Sequence, residues 1–138
     1  MKLPLILVVD DNETNQKLAC DVLGFDGFEV LRASDASEAS RVIAERRPDV
    51  ILMDIQMPGV DGLTYTRQLK SDETTRHLVI VAVTSSAMIG DEERARQAGC
   101  DGYISKPIQS RRLGAQVMEA WRCSGSAATD ESSRGGRA

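Results

Sequence analysis

Two adjacent carboxylates at Asp10 and Asp11, a third at Asp54, a hydroxyl at Thr84 and an ammonium at Lys106 share one property. Each follows a short, mostly apolar run by one or two positions, the runs being residues 5–9, 50–53, 78–83 and 102–105. Taken singly, each has an ordinary structural use: the aspartates and Thr84 as helix caps or turn formers, Lys106 as a surface cation. Gathered on one edge of a fold, they do chemistry instead. Carboxylates within about 4 Å of one another repel by roughly 4 kcal/mol per pair at an effective dielectric near 20. A divalent cation is the natural compensation, and oxygen donors select Mg²⁺, which keeps several waters and also binds phosphate oxygens. Lys106 would add a fixed positive charge that, with the cation, stabilises the extra negative charge of a phosphoryl group. Thr84 can donate a hydrogen bond to a phosphoryl oxygen. Asp54 then becomes a nucleophile able to form a mixed phosphoryl–carboxyl anhydride. The chain would supply alignment and charge neutralisation, as phosphoryl transfer requires.

The elements that must position these groups alternate regularly along the chain. Residues 5–9 predict a strand, and helical spacing follows, with Leu18, Val22 and Phe25 on one side, Ala19 and Leu23 adjoining, and Gly27 as the breaker. Residues 28–33 predict a weaker strand. The next helix is capped by Ser34 or Asp35 and buries Ala36, Ala39 and Ile43. Residues 49–53 run apolar into Asp54, as suits a strand buried on both faces, and Pro58-Gly59 turns the chain. Asp61 can cap a helix carrying Leu63, Thr66 and Leu69; residues 71–77 are polar and loop-like. After the strand over 78–83, a helix from about Met88 has Asp91, Glu92 and Glu93 in its first turn, where the dipole favours them, and ends at Gly99. Residues 102–105 predict a fifth strand, and the last helix buries Leu113, Val117 and Trp121. Five strands alternating with five helices imply a parallel sheet covered on both faces. Right-handed crossovers put every strand's C-terminal end on the same edge, where such folds bind ligands.

Composition bounds the class. The chain of 138 residues is 41% hydrophobic and 28% charged, fitting one soluble globular domain. Its net charge of −4 offers no footprint for nucleic acid. Cys20, Cys100 and Cys123 show no paired spacing, which argues against a disulfide framework or a zinc site and fits a reducing compartment. The apolar start is short, contains Pro4 and runs into Asp10-Asp11, unlike a signal peptide. With no apolar run long enough for a membrane span, a cytoplasmic location is expected. From Ser124 the composition turns to Gly, Ser and Ala without large apolar residues, predicting a folded unit over 1–123 and a disordered tail over 124–138. His77 reads as a solvated loop residue, Trp121 as core, and Cys100 as a small packed side chain.

The segments Val8-Val9-Asp10-Asp11-Asn12, Leu52-Met53-Asp54-Ile55-Gln56-Met57-Pro58-Gly59-Val60-Asp61-Gly62, Ala82-Val83-Thr84 and Gly102-Tyr103-Ile104-Ser105-Lys106-Pro107 resemble the receiver domain of bacterial two-component response regulators over residues 4–122. The stretch from Val81 to Ile108 looks particularly like single-domain cell-division regulators within that family. The resemblance implies a flavodoxin-like (βα)5 fold, a doubly wound five-stranded parallel sheet of order 2-1-3-4-5. It implies that Asp54 accepts phosphate from a kinase phosphohistidine. Asp11 and Asp54 would ligate Mg²⁺ through carboxylates, Gln56 through its backbone carbonyl, and Asp10 mainly through water. Lys106 would pair with Asp54 at rest and with the phosphoryl group afterwards, followed by a cis bond to Pro107. Thr84 and Tyr103 match the switch pair, which on phosphorylation remodels the face formed by the fourth helix, fifth strand and fifth helix. Gly102 replaces an acid common in the family's DNA-binding subgroup that dimerises through this face, so a monomer is expected. Gln56 and Ser86 occupy positions that influence phosphate lifetime.

The function that follows is a stand-alone phosphoacceptor switch, not a turnover enzyme. It would be loaded by a histidine kinase or histidine phosphotransfer protein and act on a downstream protein, without nucleic-acid or membrane partners. One alternative is a receiver belonging to a multidomain regulator or hybrid histidine kinase. Another, of a different class, is a phosphatase of the haloacid dehalogenase type; it uses a second acid two residues after its nucleophile, where this chain has Gln56. A flavodoxin is disfavoured because Asp10-Asp11 would repel a flavin phosphate.

Overall fold

The computed structural model describes residues 3–55, 62–84, 90–106 and 108–123. Strands β1 (Ile6–Val9), β2 (Val30–Ala33), β3 (Val50–Asp54), β4 (Val79–Thr84) and β5 (Gly102–Ser105) alternate with helices α1 (Glu13–Phe25), α2 (Ala36–Glu45), α3 (Gly62–Ser71), α4 (Asp91–Ala98) and α5 (Leu113–Cys123). The strands form one parallel sheet in the order β2-β1-β3-β4-β5. This is the flavodoxin-like order that the family resemblance implies.

The central strands β1, β3 and β4 are buried throughout because the sheet is covered on both faces. Alternate residues point to opposite sides. Ile6, Val8, Val50, Leu52, Val81, Val83 and Ile104 pack with Ala19 and Leu23 of α1 and Leu113 and Val117 of α5. Leu7, Val9, Ile51, Met53, Ile80 and Ala82 pack with Ala39 and Ile43 of α2, Tyr65 and Leu69 of α3, and Ala95 of α4. Trp121 packs, partly buried, against the first of these clusters, as expected; Cys100 is buried and His77 exposed.

Local signals explain the helix ends. Asn12 caps α1 by accepting from Asn15 N at 3.0 Å, and Asp35 caps α2 by accepting from Glu38 N at 2.8 Å. Gly27 and Gly99 have φ of 100° and 109°, the left-handed conformation that ends α1 and α4 without a Cβ penalty.

Three expectations need correction. Helix α1 does not bury Leu18 and Phe25, which are 43% and 92% exposed; its core-facing residues are Gln16, Ala19 and Leu23. Ala19 and Leu23, expected to adjoin the Leu18, Val22 and Phe25 set, are the buried apolar residues of the helix, and Val22 packs partly buried beside them. Thr84 does not follow β4 but is its last residue, wholly buried. Asp54 likewise belongs to β3. Gln56, Pro58, Gly59, Asp61, Ser86, Met88, Pro107 with its expected cis bond, and the tail from Ser124 lie outside the described residues. Among the described residues, no helix is long and apolar enough to cross a membrane.

Candidate functional site

The register brings the strand-end residues to one edge. Val9 lies opposite Met53 and Ala33, so Asp10 leaves β1 beside Asp54 at the end of β3. Asp54 is opposite Val83, and Thr84 opposite Ser105, so Lys106 emerges one residue beyond β4's end. That turn is held by Lys106 N–H donating to Thr84 O at 2.6 Å. Asp10, Asp11 and Asp54 present carboxylate oxygens all within 4.8 Å of one another. Lys106 Nζ lies 3.2 Å from Asp10 Oδ2 and 3.6 Å from Asp54 Oδ2. The Asp10, Asp54 and Lys106 side chains are all close to nine-tenths buried or more, while Asp11 is exposed. Asp10 also accepts from Asn12 N at 2.9 Å.

Three carboxylates face one ammonium among these four residues, so the cluster carries excess negative charge in a poorly solvated place. Its donors are all hard oxygens, and one of them is open to solvent. An octahedral Mg²⁺ with oxygens at about 2.1 Å sets neighbouring donors about 3 Å apart and opposite donors about 4.2 Å apart. Small side-chain rotations bring oxygens spaced within 4.8 Å into that frame, so the residues fit such an ion.

Thr84 ends β4 at the same edge, and its strand phase and that of Tyr103 belong to the face covered by α2, α3 and α4. Thr84 is in phase with Ala82, which lies opposite Tyr103, so the two side chains project from the same face one pleat apart. Thr84 is wholly buried, Tyr103 half-buried. Of the residues predicted from sequence, the structure therefore brings together Asp10, Asp11, Asp54 and Lys106, and sets Thr84 beside Tyr103; Gln56 and Pro107 are not described.

Two neighbours of the site went unexplained in the sequence. A Cβ on Gly62 would stand 2.6 Å from Ile55 Cα and closer still to Asp54 O, so α3 can start against the end of β3 only from glycine. Gln16 donates from Nε2 to Asp10 O at 3.1 Å and Ala33 O at 2.9 Å. Its spacing of three and seven residues from Ala19 and Leu23 is the signal that could have found it.

Residues 6–118 match the family described as response regulator receiver domain. The polar-differentiation response regulator DivK of Brucella anthropi is 50% identical over 108 residues, covering 78% of this chain and 88% of that protein. A response regulator from Chloroflexus aurantiacus superposes with a TM-score of 0.82 at 30% identity, over 87% of this chain and 98% of that one. The receiver domain of a histidine kinase from Syntrophus aciditrophicus gives 0.77 at 28% identity, over 86% and 90%. With the family match spanning almost every described element, the chain belongs to the response regulator receivers, the components of two-component systems that signal according to phosphorylation.

Proposed function

We propose that Asp54 is the phosphoacceptor and that Asp10, Asp11, Asp54 and the Gln56 carbonyl hold a Mg²⁺ ion beside it. The observation that supports this reading is Lys106 Nζ set between two buried carboxylates, with a third, exposed one completing the acidic cluster. An Asp54 carboxylate oxygen attacks the phosphorus of a phosphohistidine. The new O–P bond forms as the N–P bond breaks, and the imidazole leaves as the neutral base once protonated. The bound cation would neutralise charge on the phosphoryl oxygens. Lys106 moves its ion pair from the carboxylate to the phosphoryl group, which keeps the buried ammonium compensated throughout. Thr84 at the end of β4 donates its hydroxyl to a phosphoryl oxygen, and Tyr103 on the same face turns inward as Thr84 shifts. The chain is thus a switch that assists its own loading and unloading.

The output surface in this reading is the α4–β5–α5 face. A groove of about 330 Å³ lies there, lined among others by Arg96, Gly102, Tyr103, Arg112 and Gln116, so movement of Tyr103 alters its wall. The donor is a histidine kinase or histidine phosphotransfer protein, and the reader a downstream protein, with the receiver unit over 1–123, monomeric, in the cytoplasm. The high coverage of DivK favours a stand-alone regulator; the Syntrophus neighbour favours, as second reading, a receiver attached to a kinase.

Incubation with acetyl phosphate and Mg²⁺ tests the assignment. One acid-labile phosphate per chain is expected, abolished by EDTA and by Asp54→Asn. Equal labelling of Asp54→Asn at another residue would sink it.

A further inference from the structure

Gln16 is a polar residue on the core-facing side of α1, only 6% exposed. A buried primary amide is costly unless its donors are used. Both N–H groups are used here, one on Asp10 O and one on Ala33 O. Two carbonyl acceptors also fix the amide's orientation, because Oε1 in that place would meet lone pairs. Ala33 O accepts from Asp10 N–H as well, at 3.1 Å. Asp10 is therefore pinned at both backbone polar groups: its N–H to β2, its C=O to α1.

The Asp10 carbonyl belongs to the peptide linking Asp10 to Asp11. Its direction sets the plane from which Asp11, exposed and in a bend, leaves the end of β1. The two acids sit on either side of that one peptide, and their carboxylates converge with that of Asp54.

We infer that Gln16 is a positioning residue for the divalent cation: by holding the Asp10–Asp11 peptide it aims both carboxylates at the point they share with Asp54. This rests on the reading of the acidic cluster as the Mg²⁺ site. Partners that orient metal ligands typically change metal affinity by about 10- to 100-fold when removed. A residue that merely tied α1 to the sheet would lower stability and leave cation affinity alone.

The test uses Gln16→Met, which keeps length and burial but loses both donors, with Thr75→Val as a control. Thr75 is buried and donates to Leu69 O at 2.7 Å, at the far end of α3 from the acids. Mg²⁺ affinity is measured by calorimetry, and phosphorylation by acetyl phosphate is followed against Mg²⁺ concentration. Expected for Gln16→Met is a dissociation constant raised roughly 10-fold or more, with the labelling rate recovering at saturating Mg²⁺; Thr75→Val should lose stability with affinity unchanged. A folded Gln16→Met with wild-type affinity overturns the inference. If that variant does not fold, Gln16→Asn, which keeps the amide but withdraws it by one methylene, is held to the same criterion. Failure of the unaltered chain to bind Mg²⁺ overturns the cation site and this inference together, whereas labelling away from Asp54 counts against the phosphoacceptor alone.

Discussion

Lys106 illustrates how a single residue can be legible in type and position before its partners are known. It followed a short strand, as Asp10 and Asp54 did, and a lysine there is otherwise an unremarked surface cation. Folding encloses it between two carboxylates, where an unpaired ammonium would be costly. Cys100 shows the opposite: its type invites reactive chemistry, but its surroundings remove it. Burial is the main force pushing its thiol from 9.0 up to about 11, with Asp101 acting in the same direction and Thr66 and Lys70 opposing. Because the folded value lies above the unfolded one, the neutral thiol favours the native state below about pH 9, and that contribution is lost as pH rises towards 11. At pH 7.5 a two-unit rise leaves roughly 100-fold less thiolate. Iodoacetamide labelling followed by mass spectrometry should therefore modify native Cys100 at least that much more slowly than the urea-unfolded chain. Equal rates would show that the thiol is not enclosed as described.

At the scale of elements, strands were easier to read than helices. Continuous apolar runs over β3 and β4, too short for a helix and bounded by turn residues, read as strands buried on both faces, and the structure differs by a residue at each end. Helix α1 carries apolar side chains around most of its circumference, so spacing alone does not say which of them are buried. Leu18, Val22 and Phe25 keep helical spacing, as do Gln16, Ala19 and Leu23; the second set is buried although it contains a glutamine, while of the first Val22 packs partly buried against the core and Leu18 and Phe25 are exposed. Periodicity counts glutamine as polar and so leaves Gln16 out of the buried set; the carbonyls at the ends of β1 and β2 explain why an amide belongs inside. The two faces should respond differently to substitution. Phe25→Ser removes a side chain that is 92% exposed and should change stability by no more than about 0.5 kcal/mol. Leu23→Ala empties a fully buried position and should cost about 2–5 kcal/mol. Urea midpoints of the two variants check this, and a large loss for Phe25→Ser would mean that Phe25 packs against the core.

For the whole molecule, the order of the sheet decides which charges meet, and so couples stability to the site. The strand alternation alone predicted a shared C-terminal edge; the strand order came from the family resemblance, because no local signal tells β1 to pair with both β2 and β3. That order packs three carboxylates together with one lysine to offset them, a charge imbalance the fold must tolerate. Removing one acid should relieve it. Asp11→Asn is the informative change, since Asp11 is exposed and its amide leaves nothing buried unsatisfied. Solvent screening keeps the gain well below the several kcal/mol of an unscreened pair. Loss of a negative charge just before α1 subtracts a few tenths of a kcal/mol through the helix dipole. The net expectation in EDTA is a stabilisation of roughly 1 kcal/mol, seen as a Tm higher by about 3–5 °C. Mg²⁺ should reverse the ranking: it raises the Tm of the unaltered chain by binding only the folded state, and the variant, deprived of one ligand, gains much less. Thermal unfolding of both proteins with and without Mg²⁺ measures all four values, and a variant less stable than the original in EDTA would show that the acids are not in conflict in the folded chain.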